Sequence, residues 1–245
     1  MLSICVPARE HPKGNAGRTL LQPKSESMEQ PQLAPVVISF RDDVIDFARR
    51  SVVPLHIEGR RNIDRENWSL SRYFLALEAA GRLEFPISAV HAPPFQSPDF
   101  VLAFTSNTVG LEITEATTTG FHNHQLVISE RRGSYSDDND PGWIGDSPET
   151  TNAALVISKI RDKARGLATG TWNAADHQDL LIYCDNAPGP GVETRDLISR
   201  VRSQLLEAVK QEPEIRAFRH ISLIAQDKLI FDVVDACVEL RIPVI

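Results

Sequence analysis

The sequence predicts an α/β fold in which helices flank a mixed β-sheet, and three patterns favour this class. Apolar and polar residues alternate through residues 109–114, which is typical of a half-buried strand. Residues 179–184 form a nearly continuous apolar run, which suits a central strand buried on both faces. Segments of helical periodicity separate these strands, so some strands must pair in parallel. With 245 residues and 42% hydrophobic composition, the chain can bury a full core.

The predicted elements follow the order helix, strand, strand, helix, strand, helix, strand, strand, and another early strand is expected near residues 83–90. Each predicted helix carries apolar residues three or four positions apart, and glycine or turn residues separate the elements. The elements are a helix over 66–80 that Gly81 ends, a hairpin over 97–117, a helix from Thr151 or Asn152 to Gly166, a strand over 179–184, a helix over 194–210, and strands over 221–225 and 229–233.

The predicted hairpin brings two carboxylates onto one face. Residues 100–104 are apolar, and Ser106-Asn107 suits a two-residue turn between the strands. With the turn centred there, Asp99 lies opposite Thr114, and Asp99 and Glu112 are diagonal neighbours on the face away from the apolar set. Diagonal neighbours lie roughly 7–8 Å apart at the backbone, so both side chains can reach one divalent ion.

The order Pro98-Asp99, a short apolar hairpin, and then Glu112-x-Thr114 resembles the PD-(D/E)xK nuclease superfamily. The resemblance implies a restriction-endonuclease-like αβββαβ core. It also implies that Asp99, Glu112 and the main-chain carbonyl of Ile113 bind Mg²⁺ or Mn²⁺. The sequence departs from the family at Thr114, where a lysine usually stands. Some members of the superfamily supply this lysine from the following helix.

That helix offers Lys163 as the migrated lysine. Val156, Ile160, Lys163 and Leu167 fall within an arc of about 60° on a helical projection, with Lys163 near its centre. Lys159 lies one turn earlier, at the edge of the apolar stripe, and is the alternative. A third interpretation is an ordinary lysine whose ammonium extends from the helix to solvent.

Glu78 is the candidate third acid. It shares one side of the first predicted helix with Leu70, Phe74 and Leu77, and burying a carboxylate there is costly unless the group is paired or bound to a metal. The superfamily often carries a metal-facing glutamate on its first helix, and Glu78 resembles that residue. The alternative is that Glu78 lies at the rim of a helix that packs at a slant.

The domain organisation is predicted to be a mobile N-terminal arm over residues 1–34 and a single nuclease-like domain over residues 35–245. The arm is rich in Pro, Lys, Ser, Glu and Gln, and Met28 within it could serve as another start. Residues 131–149 are expected to form a surface loop. Three widely spaced cysteines and the lack of a signal-peptide core or bilayer-length apolar run indicate a cytoplasmic protein with no membrane partner.

These patterns together predict a metal-dependent nuclease that acts on nucleic acid, with DNA favoured, in restriction, repair or phage defence. The net charge of −7 argues against a protein that coats nucleic acid, although basic residues gather before and on the first helix and on the lysine helix. The alternative is a nuclease-like module without catalysis that binds nucleic acid or protein, because Thr114 replaces the family lysine. Assembly into an oligomer or a larger complex stays open.

Overall fold

The computed structural model describes residues 34–51, 62–92, 97–116, 148–170, 172, 175–184, 194–225 and 228–245. Eight strands and four α-helices, together with one 3₁₀ helix, make up this part of the chain. In chain order they are β1 (Val36–Ile38), α1 (Arg41–Arg50), α2 (Asn62–Ala79), β2 (Ile87–His91), β3 (Phe100–Ala103), β4 (Thr108–Glu115), α3 (Pro148–Ala168), β5 (His177–Cys184), α4 (Thr194–Gln211), the 3₁₀ helix (Pro213–Ala217), β6 (His220–Ala225), β7 (Lys228–Phe231) and β8 (Val238–Arg241).

The eight strands form one sheet in which spatial order follows chain order. β4 pairs in parallel with β5, and β5 pairs in parallel with β6. The other five pairings are antiparallel. The two parallel pairings are those whose strands are joined through α3 and α4, because a parallel connection must cross over the sheet. The α/β class and the mixed sheet are therefore confirmed.

Each face of the sheet covers a separate hydrophobic core. On the face that α1 and α2 cover, here called the α2 face, Phe74 packs with Leu111 and Leu181. On the face that α3 and α4 cover, here called the α3 face, Ile160 packs with Ile182. β5 is buried on both faces, which explains its long apolar run without alternation.

Glycine ends α2 as predicted. Gly81 has φ of +64°, its N–H donates to Glu78 O at 2.8 Å, and Arg82 N donates to Leu77 O at 2.8 Å. This pattern is a Schellman motif, in which the residue after the helix adopts the left-handed conformation that glycine tolerates best. α2 begins at Asn62, four residues before the predicted start.

The predicted register of the hairpin is wrong. Ala103 pairs with Thr108, and Phe104 N donates to Asn107 O at 2.9 Å, so the turn is centred on Thr105-Ser106 and not on Ser106-Asn107. Continuing this register places Asp99 opposite Glu112 and not diagonal to it. The error moves each partner by two positions, and because side chains alternate faces with a period of two, the two acids still share the α3 face.

Several predictions concern residues outside the described ranges. The arm is described only at residue 34, and residues 131–147 of the expected surface loop are not described. Residues 148 and 149, the end of that predicted loop, belong to α3. In the part of the chain that the structure describes, no helix combines the length and apolarity needed to cross a bilayer.

Candidate metal centre

Asp99 and Glu112 meet where β3 and β4 begin to separate. Asp99 directly precedes β3, and Glu112 lies in the middle of β4. The Asp99 carboxylate accepts a hydrogen bond from the main-chain N–H of Ile113 at 2.7 Å. This bond replaces the next rung of the β3–β4 ladder and fixes Asp99 against β4 beside Glu112.

The main-chain carbonyl of Ile113 points towards the start of β3, where Asp99 lies. Ala116 N donates to Tyr183 O at 2.9 Å, so even-numbered residues at this end of β4 bond to β5 and odd-numbered residues point towards β3. In the antiparallel register, Ile113 would pair with Pro98, which has no N–H to donate. Pro98 therefore leaves the Ile113 carbonyl without its ladder donor, next to Asp99.

Gly110 allows Pro98 and Gln178 to lie against β4. A Cβ added at Gly110 would lie 2.8 Å from Pro98 Cγ, and it would overlap the side-chain amide of Gln178. Real Cβ atoms do not approach heavy atoms this closely. The glycine thus lets the chain before Asp99 pack directly onto the strand that carries Glu112.

Glu112 is buried and paired with Lys163. Its side chain is 3% exposed, and Oε1 accepts a hydrogen bond from Lys163 Nζ, which reaches it from the C-terminal half of α3. Oε2 of Glu112 is buried and has no hydrogen-bond partner among the described residues. The structure therefore brings Lys163 to the acid as the helical projection predicts, while Lys159 lies one turn earlier on α3. One carboxylate oxygen is left for a further ligand.

Burial and the neighbouring carboxylate raise the pKa of Asp99 to about 7. Burial is the largest cause, and the negative charges of Glu112 and Glu66 act in the same direction. The hydrogen bond from Ile113 N and the charge of Lys163 oppose the rise in pKa. The pocket thus concentrates negative charge that a proton or a cation can neutralise.

A glutamate and a histidine that the sequence reasoning did not select lie beside the two acids. His91 Nε2 lies 2.7 Å from Glu66 Oε2, and His91 Nδ1 lies 2.7 Å from Ala92 O. Both partners can accept a hydrogen bond, an arrangement that favours the charged imidazole over the neutral one. The hydrogen bond to Glu66 is the largest cause that shifts the pKa of His91, and the net shift is upward.

The position of His91 in the sheet could have indicated that His91 and Glu66 lie near Asp99. His91 pairs with Phe100, the residue after Asp99, and Glu66 stands in the second turn of α2. The hydrophobic pattern of the helix did not select Glu66, because periodicity does not show where along its length a helix approaches the sheet.

Glu78 does not join this group. Its carboxylate forms an ion pair with Arg41 Nε at 2.9 Å, and its side chain is 15% exposed. Glu78 lies about 18 Å from Glu66 along the axis of α2, at 1.5 Å per residue. The prediction that Glu78 supplies the third acid is therefore corrected: the glutamate of this helix that lies near Asp99 is Glu66.

The protein supplies some, but not all, of the ligands that a hard divalent cation needs. Two carboxylates and one main-chain carbonyl converge, and oxygen donors of this kind suit Mg²⁺ and Mn²⁺. Within the described ranges, no three His, Cys, Asp or Glu side chains form a metal-binding group. Waters and substrate oxygens would have to complete the coordination, which is usual for Mg²⁺.

Most of the described basic residues before and on the first predicted helix and on the lysine helix have acidic partners. Arg65 donates a hydrogen bond to Glu115 at 2.6 Å, and Arg161 forms an ion pair with Glu212 at 2.6 Å. Arg60 and Arg61 lie outside the described residues. These pairs reduce the net positive charge that α2 and α3 could offer to a nucleic-acid backbone.

Comparisons of the chain with protein-family models, with curated proteins and with solved structures found no match. The resemblance to the PD-(D/E)xK superfamily therefore rests on the residues of this chain and on their arrangement.

Proposed function

We propose that this protein is a divalent-metal-dependent nuclease that hydrolyses phosphodiester bonds, with DNA as the expected substrate. The observation that carries this proposal is the meeting of Asp99, Glu112 and Lys163 in one partly buried group at the β3–β4 junction. Two acids and a lysine on a β-hairpin and a following helix are the parts that the family resemblance predicts.

In this proposal Asp99, Glu112 and the Ile113 carbonyl hold Mg²⁺ or Mn²⁺. A bound divalent ion lowers the pKa of its water and offsets charge on the phosphate. The unpartnered Oε2 of Glu112 and the raised pKa of Asp99 support this assignment, since both groups gain from a nearby cation. Glu66, held by His91, replaces Glu78 as the acid that would orient a water.

Lys163 is the proposed counterpart of the missing motif lysine. Its ammonium already touches Glu112, and its side chain is 32% exposed, so the group lies at the boundary between the buried acids and solvent. From this position it can orient the attacking water or stabilise the negative charge that develops on the phosphate. Thr114, where the family usually has lysine, is buried on the same face of β4 as Glu112.

A metal titration and a cleavage assay test this proposal together. Asp99→Asn and Glu112→Gln remove one charge each with little change in shape, and Asp235→Asn on the surface is the matched control. Mn²⁺ binding is measured by calorimetry, and cleavage is measured on single-stranded and duplex DNA and RNA with Mg²⁺, Mn²⁺ or EDTA.

We expect both site variants to lose metal binding and cleavage while their circular dichroism spectra stay unchanged, and we expect the control to retain both activities. Cleavage by both site variants would refute the metal centre. Nucleic-acid binding without cleavage in any metal would favour the second candidate, a non-catalytic module, for which the threonine at position 114 argues.

A further inference from the structure

We propose that a second site on the α2 face binds an aromatic base that carries a phosphate. The site is a cavity of about 350 Å³ between α2 and the amino-terminal ends of β4, β5 and β6. Its volume falls within the usual range for small-molecule sites, roughly 300–1,000 Å³, and suits a mononucleotide. It is separate from the metal centre, because Val109 lines it from the α2 face while Glu112 faces α3.

An ion pair between the buried carboxylate of Asp179 and the exposed guanidinium of Arg219 forms the polar end of the cavity. The Asp179 side chain is 3% exposed and accepts two bonds from Arg219, Nε to Oδ1 at 3.0 Å and Nη2 to Oδ2 at 2.6 Å. His220 N also donates to Asp179 Oδ1, at 3.2 Å. The carboxylate thus fixes the plane of the guanidinium, and neither of the two bonds uses Arg219 Nη1.

This arrangement is unusual for a pair that serves stability alone. A carboxylate buried to this degree has a large desolvation cost, and an apolar pair of similar volume often stabilises a protein as well. A guanidinium whose orientation is fixed, and whose Nη1 takes no part in the bonds to Asp179, is instead suited to a planar acceptor or a phosphate oxygen.

Aromatic side chains line the rest of the cavity. Phe104, Phe231 and Tyr73 contribute walls, and Arg82 lies over the Phe231 ring with its guanidinium carbon 5.6 Å from the ring centroid. The His220 ring also packs against the Phe231 ring, with centroids 4.6 Å apart. A flat heteroaromatic ring fits such walls, because stacking on aromatic and guanidinium planes is favourable for any base.

Two cations of the cavity can hold an anion next to the ring. Arg82 and Arg219 supply two permanent cations, and Asp179 is already bonded to Arg219. Glu84 lies exposed at the mouth and would oppose an anionic ligand. His220 Nδ1 faces Asp232 Oδ2 at 3.5 Å. Because Arg82 and Glu84 carry opposite charges, removing each one in turn tests whether the ligand is an anion.

Binding is measured by calorimetry on the full chain in EDTA, so that no metal takes part. The ligands are AMP and dAMP, with adenosine and inorganic phosphate as the two halves, and a 5′-phosphorylated oligonucleotide as the other source of the same chemistry. We expect the mononucleotides to bind and each half alone to bind at least about tenfold more weakly, as loss of one charge-assisted contact would give.

Two substitutions at the mouth decide the sign of the charge. Arg82→Gln should weaken mononucleotide binding about tenfold, whereas Glu84→Gln should tighten it, because one removes an attraction and the other a repulsion. Arg216→Gln, on the surface and paired with Asp235 outside the cavity, is the matched control and should change nothing. Asp99→Asn should bind the nucleotide normally, since the metal centre lies on the other face.

The opposite outcomes overturn the proposal. Absence of binding at millimolar nucleotide, or equal affinity for adenosine and AMP, would remove the site or its phosphate half. Loss of binding in Asp99→Asn but not in Arg82→Gln would assign the nucleotide to the metal centre. Tighter binding of the oligonucleotide than of AMP would identify a strand end, and equal or weaker binding would identify a free nucleotide. None of these readouts depends on nuclease activity.

Discussion

Asp99 lies in a pocket whose electrostatics resist its ionisation. Two other carboxylates, Glu112 and Glu66, and burial together outweigh the favourable bond from Ile113 N and the charge of Lys163. In the absence of a cation, the protonated form of Asp99 is therefore favoured in the folded protein relative to the unfolded chain. The same groups that raise its pKa would attract a divalent ion, so protons and metal compete for this carboxylate.

The first prediction concerns stability against pH in EDTA. The pKa of Asp99 rises from 3.8 in the unfolded chain to about 7 in the folded protein. Between these values the folded state holds the extra proton, so the free energy of unfolding should fall as pH rises, by at most about 1.4 kcal/mol per pH unit from this group. Chemical denaturation between pH 4 and pH 8 measures the slope.

Asp99→Asn is the control for that slope, because it removes the titrating group and keeps the shape. The variant should show a flatter profile, and Mn²⁺ should raise the stability of the natural protein at pH 8 more than at pH 5. An unchanged slope in Asp99→Asn would mean that another group, such as His91, governs the pH dependence.

Lys163 and Lys159 provide the second prediction, since they lie one turn apart on the same helix. Lys163→Ala should lower the cleavage rate about a hundredfold or more, whereas Lys159→Ala should change it little, because the Lys163 ammonium is the one that contacts Glu112. Calorimetry should show that Lys163→Ala still binds Mn²⁺, since the acids remain. Equal loss of activity in both variants would contradict the assignment.

The sequence predicted three residues of the acid and lysine group, and it missed Glu66 for a physical reason. Asp99, Glu112 and Lys163 were predictable because alternation and helical projection place side chains on faces. Which glutamate of α2 approaches the site depends on where along its length the helix crosses the sheet. Periodicity within the helix carries no information on that point, so Glu78 was chosen and Glu66 was missed.

The β3–β4 hairpin shows what patterns can determine about an element. Alternation fixes which side chains share a face, and this part of the prediction is confirmed. The register depends on the turn, and the sequence around Thr105, Ser106 and Asn107 accommodates more than one turn position. The hydrogen bond from Phe104 N to Asn107 O selects the earlier position and sets Asp99 directly opposite Glu112.

The third prediction tests how the chain before Asp99 is held. Gly110→Ala should place a methyl group 2.8 Å from Pro98 Cγ and against Gln178, forcing Pro98 and the adjacent Asp99 away from β4. Overpacking of this kind typically costs about 1–3 kcal/mol, and we expect metal affinity to fall with it. Thermal melts and Mn²⁺ calorimetry measure the two effects.

Gly166→Ala on α3 is the matched control, because its added Cβ would lie 3.3 Å from Trp172 Nε1 and the helix gains an alanine. It should affect both measurements less than Gly110→Ala does. Normal metal binding in Gly110→Ala would show that Pro98 can move without displacing Asp99.

In the described part of the chain, one sheet carries different chemistry on its two faces. The parallel strands β4, β5 and β6 form its centre, with the acid and lysine group on the α3 face and the Asp179–Arg219 cavity on the α2 face. The sequence predicted this centre because buried strands joined by long helices leave few alternatives. It did not predict β1, α1 or β8, although Val44, Phe47 and Ala48 of α1 lie at helical spacing.

The last prediction concerns the N-terminal segment, whose first 33 residues lie outside the described part of the chain. Removing residues 1–27, so that the chain begins at Met28, should leave the melting temperature nearly unchanged, because a Pro-, Ser-, Lys- and Glu-rich segment has little apolar surface to bury. Removing residues 1–39 is the matched comparison. It deletes β1, whose Ile38 is fully buried and pairs with Ile87, and should lower the melting temperature by several degrees. An equal loss in both truncations would show that the first 27 residues pack on the domain, and the predicted domain boundary would then move to the start of the chain.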